Sequence, residues 1–256
     1  MPKNHPFFSI IYVNYKSAHY LESALKSLIS QEEKEIFEII IVNNDKEERD
    51  LIEKLGQEFS CITLQNTSNK GFGSGVNQGV QAASGKWIGL INPDTLWPKS
   101  QLQVLQGKIK EKNAVIGLRL LDKDGQEERF GCGRKITLLQ LFFNHLPPIL
   151  SLGRKPVGWL SGGALFFQKA LWAELKGFDE KYFLYYEDVD FCERARLAGR
   201  NIEQEPLFSI VHFGGKSHSS KKQQKKHYRE SQIYYFEKFR PWYEQKILKL
   251  LHLFLS

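Results

Sequence analysis

The sequence predicts an α/β protein with a mostly parallel central sheet, helices on both faces and further helices at its C-terminal end. Two observations predict this class. Strand-like and helix-like segments alternate from the start of the chain, and the strand-like segments are continuous apolar runs. Such runs are typical of parallel strands that are buried on both faces. The 256 residues, of which 41% are hydrophobic, are enough for one large core.

Four strands are expected in the first half, at residues 7–13, 37–42, 61–65 and 86–91, because these runs are rich in β-branched and aromatic side chains. A helix should follow the first strand, since Leu21, Leu25 and Leu28 recur at helical spacing and Ser17 can cap it. Further helices are expected at residues 48–58 and 75–84.

The second half is less regular. The runs AVIGLRLLD, WLSGGALFF and FSIVHFGG predict strands, and QKALWAELKGF predicts a short helix. A helix that contains FCERARLAG should end at Gly199. Residues 131–157 form a long connection, and connections of this length are often functional. Aromatic helices are expected near the C-terminal end.

Composition limits the compartment and the partners. Cys61, Cys132 and Cys192 are scattered and form no CxxC pair, so neither a disulfide framework nor a zinc knuckle is indicated, and a reducing cytosol fits best. No signal peptide opens the chain and no run approaches the ~20 apolar residues of a spanning helix, so we expect a cytoplasmic protein. The formal charge of +7 is compatible with nucleic acid, anionic lipid, a phosphate-bearing substrate or simply a soluble basic surface.

Polar side chains follow the predicted strands at the point where each strand ends. Asn14 follows the first strand, Asn43 and Asp45 follow the second, and Asn92 and Asp94 follow the fourth. Ligands bind to open α/β sheets at the carboxyl ends of the strands, so these residues are candidates for binding one. An acid here can also hold a divalent cation against a diphosphate. The alternative for Asn-Pro-Asp-Thr is an ordinary turn that caps the next helix.

A glycine-rich stretch, NKGFGSGVNQG, follows the third strand. It is not a dinucleotide-binding fingerprint, because Val76 stands where the third glycine should be and because that fingerprint belongs to the first βα turn. A flexible loop that enters a helix still lets backbone amides approach phosphate or ribose. Asn69, Lys70, Gly71 and Asn77 are therefore candidate binding residues, and a purely structural turn is the alternative.

Three carboxylates crowd into the segment YYEDVD. On a helix, Asp188 shares an apolar face with the residues three, four and seven positions further on. Burial on such a face raises the pKa of a carboxylate and suits Asp188 to accept a proton. Asp190 and Arg194 are expected to form an ordinary surface pair, and Glu187 is favourable at the start of a helix.

Taken in order, these motifs resemble the family 2 glycosyltransferases, and most closely their rhamnosyltransferase-like branch. The segments that carry the resemblance run from about Phe7 to Ser217 and include NND, NKGFGSGVNQG, INPDT, GWLSGGALFF, GFDEKYFLYYEDVDFCERARLAG and HFGGKS. The resemblance implies a GT-A fold in residues 1–217, a nucleotide-diphospho-sugar donor and inversion at the anomeric carbon. Residues 218–256 are then a basic and aromatic helical extension.

The resemblance also implies roles on the donor side. The family's DxD motif aligns with Asn92-Pro93-Asp94, so Asp94 is implied to bind a divalent cation, Mn²⁺ or Mg²⁺, together with His212, although a lone histidine is usually structural. Asn92 supplies no charge, and the strictness of the metal dependence is therefore open. Asn43 stands where the family usually has an Asp that contacts the nucleotide, so the base selectivity can differ.

On the acceptor side, the Asp of the family's ED pair is the base, which points to Asp188 with Glu187 beside it. The base takes the proton of the acceptor hydroxyl as that oxygen attacks the sugar opposite the leaving diphosphate. Trp159 and Gly162 resemble the family's acceptor-side strand, where a tryptophan can stack on a sugar face. A core aromatic is the alternative for Trp159.

A lysine cluster and an amphipathic stripe near the C-terminal end leave two interpretations open. The cluster comprises Lys216, Lys221, Lys222, Lys225 and Lys226, and the stripe comprises Ile247, Leu250, Leu251 and Phe254. They form either a solvated charge run on a packed helix or an anchor at an anionic membrane surface, which would place the protein at the inner face of the cell membrane. Lys216 and Ser217 can also contact phosphate.

The expected activity is transfer of a sugar, with rhamnose as one candidate, from a dTDP-, UDP- or GDP-linked donor to a polysaccharide or lipid-linked acceptor. Two other classes stay open. A sugar-1-phosphate nucleotidyltransferase should have a glycine-rich loop after the first strand, and NYKSAHY contains no glycine. A non-catalytic protein could bind nucleic acid through the lysine cluster, although we expect no nucleic-acid partner.

Overall fold

The computed structural model describes residues 5–143, 157–214 and 220–254. Up to residue 91, strands and helices alternate as the sequence predicts. The elements are β1 (Phe8–Asn14), α1 (Ala18–Gln31), β2 (Phe37–Asn43), α2 (Arg49–Phe59), β3 (Ile62–Gln65), α3 (Phe72–Ala82) and β4 (Trp87–Ile91). Short 3₁₀ turns at Lys34–Ile36 and Lys46–Glu48 precede β2 and α2.

The second half contains more elements than the sequence predicted. They are β5 (Thr95–Leu96), α4 (Leu102–Ile109), β6 (Ala114–Leu121), β7 (Cys132–Gly133), α5 (Leu138–Phe143), β8 (Trp159–Leu160), β9 (Ala164–Gln168), α6 (Lys169–Glu174), α7 (Glu187–Leu197), β10 (Asn201–His212), α8 (Lys221–Phe239) and α9 (Trp242–Phe254). The run WLSGGALFF is two strands, because the amide of Gly162 donates to Asp188 and not to a neighbouring strand. The long connection carries β7 and α5 in its first part, and residues 144–156 lie outside the described residues.

Eight strands form one mostly parallel sheet in the order β3-β2-β1-β4-β9-β6-β10-β5. β1 is parallel to β2 and β4, β2 is parallel to β3, and β6 is parallel to β10. β9 runs antiparallel to both of its neighbours, and β5 runs antiparallel to β10. The carboxyl ends of β1 to β4 therefore meet at one edge of the sheet, where ligands of such folds bind.

The sheet is covered on both faces. Every residue of β1 is buried, and its side chains alternate between the two faces. Ile10 and Tyr12 pack in one cluster with α1 and α4, whereas Ile11 and Val13 pack in a second cluster with α3 and α7. Full burial of one such side chain stabilises a fold by about 1.5–3 kcal/mol. The continuous apolar runs of the sequence thus reflect a sheet with no solvent face at its centre.

Close packing of α3 on the sheet explains part of the glycine-rich stretch. A methyl group on Gly79 would lie 2.7 Å from Cγ2 of Ile11 in β1, and one on Gly75 would lie 2.7 Å from Cγ1 of Val13. Any side chain at either position would push the helix away from the strands. These two glycines therefore serve helix packing, not ligand binding.

The two C-terminal helices pack on the segment that leads into α7. Tyr235 and Phe236 of α8 and Leu248 of α9 are buried in a cluster with Tyr182 and Tyr186. The extension therefore shares an apolar core with the part of the chain that carries the acidic cluster. Across the described ranges, no helix combines the length and the hydropathy needed to cross a bilayer.

Candidate active site

Asn14 and Asn43 lie side by side at the carboxyl ends of β1 and β2, and both are fully buried. The amide of Asn14 donates to Asn43 Oδ1 at 2.9 Å and to Glu48 Oε2 at 2.8 Å. The amide of Asn43 donates to the Asp45 carbonyl at 2.7 Å and to Gln65 Oε1 at 2.8 Å. Both donor hydrogens of each amide are used within the protein, so these side chains shape the strand ends.

Glu48 fills the N-terminus of α1, a role that sequence reasoning missed. Its carboxylate accepts from the backbone amides of Ser17 at 3.1 Å and Ala18 at 3.4 Å. Ser17 stands at the N-cap position, as predicted, but makes no capping bond and donates instead to Asn14 Oδ1 at 3.0 Å. Unpaired amides and the helix dipole favour negative charge here. The start of α1 is thus occupied by a carboxylate of the protein and not left for a phosphate.

The loop between β3 and α3 is fastened to the segment before α7. Gly71 has a φ of 98°, and a methyl group there would lie 2.4 Å from the Phe183 carbonyl oxygen, so glycine is required. The same carbonyl accepts from the amide of Phe72 at 3.0 Å. The Gly71 carbonyl in turn accepts from Asn44 Nδ2 at 3.2 Å. Gly71 therefore joins the strand ends to the acidic segment.

Three candidate donor-side residues lie around this loop. Asn69 Oδ1 accepts from the Gly71 amide at 2.8 Å and holds the loop in shape. Lys70 is exposed, while Asp45 is buried and caps the 3₁₀ turn that follows β2. The phosphate candidates Lys216 and Ser217 lie outside the described residues.

Asn77 has all four hydrogen-bonding positions of its amide filled by the protein. Its Nδ2 donates to the Phe178 carbonyl and to Glu180 Oε1, both at 2.9 Å. Its Oδ1 accepts from Trp172 Nε1 at 3.0 Å and from the Phe178 amide at 2.8 Å. The structure uses this side chain to fasten the turn at residues 178–180 to α3, where the sequence predicted a nucleotide contact.

Asp94 and His212 meet although they are far apart in the chain. β5 directly follows Asp94 and pairs with the end of β10, so that Thr95 and His212 are in register. His212 Nε2 lies 3.3 Å from Asp94 Oδ1, and His212 Nδ1 lies 2.9 Å from Glu128 Oε1. The amide of Phe213 donates to the Asp94 carbonyl at 2.9 Å. Glu128, which no sequence pattern singled out, is the carboxylate that orients the imidazole.

The chemistry of these side chains fits a divalent cation only in part. A carboxylate behind a histidine is the usual partner of a metal-binding imidazole. Yet the described part of the chain contains no group of three or more His, Cys, Asp or Glu side chains placed to hold a metal. Asp94 and His212 would supply two ligands, and Mg²⁺ commonly takes the others from substrate phosphates and water. Despite burial, hydrogen bonds and charges from Asp94 and Glu128 raise the pKa of His212 to about 9.

Asp188 is held at the start of α7 by two backbone amides. Its Oδ2 accepts from the Gly162 amide at 2.9 Å, and its Oδ1 accepts from the Val189 amide at 2.8 Å. Phe191 and Cys192, on the same helix face, are fully buried, as their spacing predicted. Burial raises the pKa of Asp188, although the two amides act in the opposite direction. The carboxylate is therefore fixed in position and disposed to accept a proton.

Glu187 lies beside it in a strained segment. Tyr185 and Tyr186, directly before α7, have left-handed φ values of 69° and 67°. Glu187 is 5% exposed, and its Oε2 has no hydrogen-bond partner among the residues that the structure describes. Burial and the neighbouring carboxylate of Asp188 raise the pKa of Glu187 well above its ordinary value. Strained backbone and acids with raised pKa values cluster at functional sites.

Asp190 has a structural task. It is fully buried and binds Arg194 on the same helix, Lys238 of α8 at 2.6 Å and the Tyr182 hydroxyl at 3.3 Å. Lys238 also binds Asp179 Oδ2 at 2.7 Å. The predicted pair of Asp190 with Arg194 is present, but it is internal and not on the surface, because α8 covers it. This network fastens the extension to α7.

Trp159 lines a cavity of about 650 Å³ between residues 129–141 and the helices α8 and α9. Its strand, β8, pairs with β7, and Tyr186 lines the same cavity. Trp159 is only partly buried, so it is not sealed inside the core. The tryptophan therefore faces open space close to the start of α7.

A turn of two glycines connects the candidate base to the candidate cation pair. The amide of Gly162 holds the carboxylate of Asp188, and the carbonyl of Gly163 accepts from the amide of Asn92 at 3.1 Å. Asn92 stands two residues before Asp94. Candidates from both halves of the sequence are thus brought together at the carboxyl edge of the sheet.

Comparison with known sequences identifies similar proteins over most of the chain. The sequence model of Glycosyl transferase family 2 matches residues 9–174. The chain is 26% identical over 240 residues to the N-acetylglucosaminyl-diphospho-decaprenol L-rhamnosyltransferase of Mycobacterium tuberculosis, covering 82% of this chain and 76% of that protein. It is 23% identical over 221 residues to rhamnosyltransferase WbbL of Escherichia coli, covering 80% of this chain and 82% of that protein.

Solved structures share the fold. The mannosyltransferase PcManGT from Pyrobaculum calidifontis, in complex with GDP-Man and Mn²⁺, matches with a TM-score of 0.64 and 15% identity over 93% of this chain and 65% of that chain. S. aureus TarS in complex with UDP matches with a TM-score of 0.60 and 19% identity over 88% of this chain and 64% of that chain. These neighbours confirm the predicted GT-A fold.

Proposed function

The chain belongs to Glycosyl transferase family 2, and on that premise we propose that it is an inverting enzyme that moves a sugar from a nucleotide-diphospho-sugar to an acceptor hydroxyl. As the chain is a glycosyltransferase, the nucleotidyltransferase and nucleic-acid-binding alternatives are set aside. The observation that best supports the proposal is the two-glycine turn, which holds Asp188 on one side and the strand end before Asp94 on the other.

Asp188 is the proposed base. The acceptor oxygen attacks the anomeric carbon while its proton passes to the Asp188 carboxylate. The bond from that carbon to the donor diphosphate breaks, and its electron pair leaves with the phosphate oxygen. Attack opposite the leaving group inverts the anomeric carbon. The two amides that hold Asp188 fix its orientation, and its burial favours the protonated product of this step.

Asp94 and His212 are proposed to act on the leaving-group side, where they would hold Mn²⁺ or Mg²⁺ together with phosphate oxygens. A bound cation offsets the charge that develops on the leaving diphosphate. The complex of PcManGT with GDP-Man and Mn²⁺ supports a cation in this fold. Asn92 can donate a hydrogen bond to a phosphate oxygen without adding charge.

The donor nucleotide is proposed to lie along the edge formed by β1 to β3 and the loop before α3. Asn69, Lys70 and Asp45 lie along this edge. Rhamnose is the first candidate sugar, because the M. tuberculosis and E. coli relatives are rhamnosyltransferases, and we propose dTDP as its carrier. GDP and UDP, present in the solved neighbours, are the other carriers to test.

The acceptor is proposed to be a lipid-linked glycan at an anionic membrane surface. The M. tuberculosis relative is named for a diphospho-decaprenol acceptor. Residues 218–256 carry nine Lys or Arg and three Glu, which is +6 of the chain's net charge of +7. The helix α9 also exposes Trp242, Ile247, Leu250 and Leu253. Basic charge next to exposed apolar side chains is the pattern of a helix that lies on anionic lipid.

Thermal stabilisation tests the donor site. We expect dTDP, UDP or GDP to raise the Tm of the full chain, and Mn²⁺ to increase the shift, because a ligand that binds only the folded state stabilises it. Asp94→Asn should reduce the contribution of Mn²⁺, whereas Asp50→Asn, at an exposed position in α2, should not. No shift with any of the three nucleotides, with or without Mn²⁺, would refute the donor site.

Sedimentation with vesicles tests the membrane surface. We expect the protein to sediment with vesicles of phosphatidylglycerol and not with vesicles of phosphatidylcholine, and 1 M salt should release it. Leu250→Glu should weaken this binding, whereas Val104→Glu, an exposed apolar position on α4, should leave it unchanged. Equal binding to both kinds of vesicle, or none to either, contradicts the proposal.

A further inference from the structure

The 650 Å³ cavity is lined by two walls and by two aromatic side chains, Trp159 and Tyr186. Residues 129–141 form one wall, and the helices α8 and α9 form the other through Tyr228, Leu248 and Leu251. Trp159 and Tyr186 lie between the walls. The volume lies within the range of about 300–1,000 Å³ that is usual for ligand sites. The cavity is therefore large enough to hold part of a substrate, and it exists only because the extension packs beside the long connection.

Most polar groups of the cavity already have partners. Gln232 Nε2 donates to the Tyr186 hydroxyl at 2.7 Å, and Gln232 Oε1 lies 2.7 Å from His252 Nε2. The cations of the opposite wall are Arg129 and Arg134. Arg134 is exposed and forms no ion pair with the residues that the structure describes. The cavity thus combines apolar walls with a positively charged rim.

Two residues that line the cavity are close in the chain to the proposed base or to the residue whose amide holds it. Trp159 stands three residues before Gly162, whose amide holds the carboxylate of Asp188. Tyr186 stands two residues before Asp188 on the strained segment. The cavity therefore lies beside the segments that hold Asp188, and the rest of it extends between residues 129–141 and α9.

The wall formed by α9 also connects the cavity to the exposed face of that helix. Leu248 and Leu251 line the cavity, whereas Ile247 and Leu250 are exposed. One helix therefore has apolar side chains on two sides, one towards the cavity and one towards solvent. An apolar chain that enters the cavity along α9 could continue onto the surface that we propose to contact lipid.

We propose that this cavity binds the lipid end of an isoprenoid-diphosphate-linked acceptor. The inference rests on the proposed function and assigns a place to its acceptor. The arginines of the rim bind the diphosphate, since guanidinium groups pair with phosphate oxygens through paired hydrogen bonds. The apolar walls bind the first isoprene units. The sugar beyond the diphosphate then points past Trp159 towards Asp188.

Binding of farnesyl diphosphate to the full chain tests this proposal, with calorimetry as the readout. We expect farnesyl diphosphate to bind at least about tenfold more tightly than either inorganic pyrophosphate or farnesol, because only it uses both the rim and the walls. Leu251→Glu and Arg134→Gln should each weaken it by about fivefold or more. Val104→Glu, at an exposed position in α4, and Lys110→Gln, directly after α4, are the matched controls and should change nothing.

The proposal is overturned if farnesyl diphosphate binds no more tightly than pyrophosphate, or if Leu251→Glu and Arg134→Gln both bind it as the parent does. Because the arginine variant changes an exposed side chain, it separates loss of the site from loss of the fold. The nucleotide-induced rise in Tm, measured on the same proteins, should persist in every variant. If nucleotides do not raise the Tm of the parent while farnesyl diphosphate still binds to it, the donor site is rejected and the assignment of the cavity stands.

Discussion

Replacing Asp188 with Asn is the sharpest test of the proposed chemistry. The amide has nearly the shape of the carboxylate but cannot accept the proton of the acceptor hydroxyl at neutral pH. A general base commonly contributes a factor of about 10²–10⁴ to a rate. At 1.36 kcal/mol per factor of ten, the barrier should rise by about 2.7–5.4 kcal/mol.

The structure also sets the cost of this substitution to the fold. The two oxygens of Asp188 accept from the amides of Gly162 and Val189, so an Asn in either orientation places its –NH₂ group against one of these donors. An unsatisfied buried donor costs about 1–3 kcal/mol. Loss of the negative charge of this partly buried group offsets part of this, because desolvation already disfavours the ionised form. We therefore expect a net loss of about 2 kcal/mol at most, which lowers Tm by less than about 8 °C.

The assay compares kcat for sugar transfer with nucleotide binding in the same protein. In Asp188→Asn we expect kcat to fall by about 10²–10⁴-fold while the nucleotide still raises Tm. Asp50→Asn makes the same chemical change in the first turn of α2, where the side chain is exposed, and should have no effect on either quantity. A kcat within about threefold of the parent's would remove Asp188 from the role of base.

Three further predictions follow from other contacts. The raised pKa of Glu187 means that the folded state keeps a proton which the unfolded chain loses above about pH 4.3, so the free energy of unfolding should fall as pH rises from there to the pKa of the folded state. Glu187→Gln should flatten this fall in denaturant titrations at a series of pH values, and an unchanged dependence of the unfolding free energy on pH would contradict the prediction. Gly71→Ala should lower Tm by several degrees through its left-handed φ and the clash with Phe183, whereas Gly107→Ala, exposed in α4 with free space around it, should raise stability by about 0.5–1 kcal/mol. Lys238→Met should lower the free energy of unfolding in urea by about 2–3 kcal/mol, since Asp190 would stay buried with fewer partners. Lys249→Met, which removes the exposed Lys249–Glu237 pair, should lower it by less than about 1 kcal/mol, and equal losses would contradict the buried network.

The central sheet could be predicted because its signal is local. Each of the first four strands is an apolar run of a few residues, and burial on both faces leaves that mark in the sequence without any knowledge of its neighbours. The helical spacing that placed Asp188 beside Phe191 and Cys192 is equally local, and their burial agrees with it. The resemblance of the motifs, in their order along the chain, to those of family 2 glycosyltransferases further predicted the GT-A fold.

The contacts that sequence reasoning missed are made between distant segments. Glu48 occupies the start of α1, and Glu128 orients His212, yet neither residue stands in a recognisable pattern. Asp190 was expected at the surface, because an i,i+4 pair on a helix gives no sign that another helix will cover it. Asn77 was assigned to a ligand because an amide near a glycine-rich turn shows its chemistry in the sequence but not its partners.

The pairing of β5 with β10 also bears on the order in which the proposed site is assembled during synthesis. A ribosome delivers the N-terminal part of the chain first, and domains commonly begin to fold as they emerge. The strand ends of β1 to β4 are complete early, whereas His212 reaches Asp94 only after the last strand has joined the sheet. Lys238, which holds α7 from the far side, emerges later still. On the proposed function, a nascent chain would thus form the proposed nucleotide-binding edge before Asp94 and His212, the proposed cation ligands, have come together.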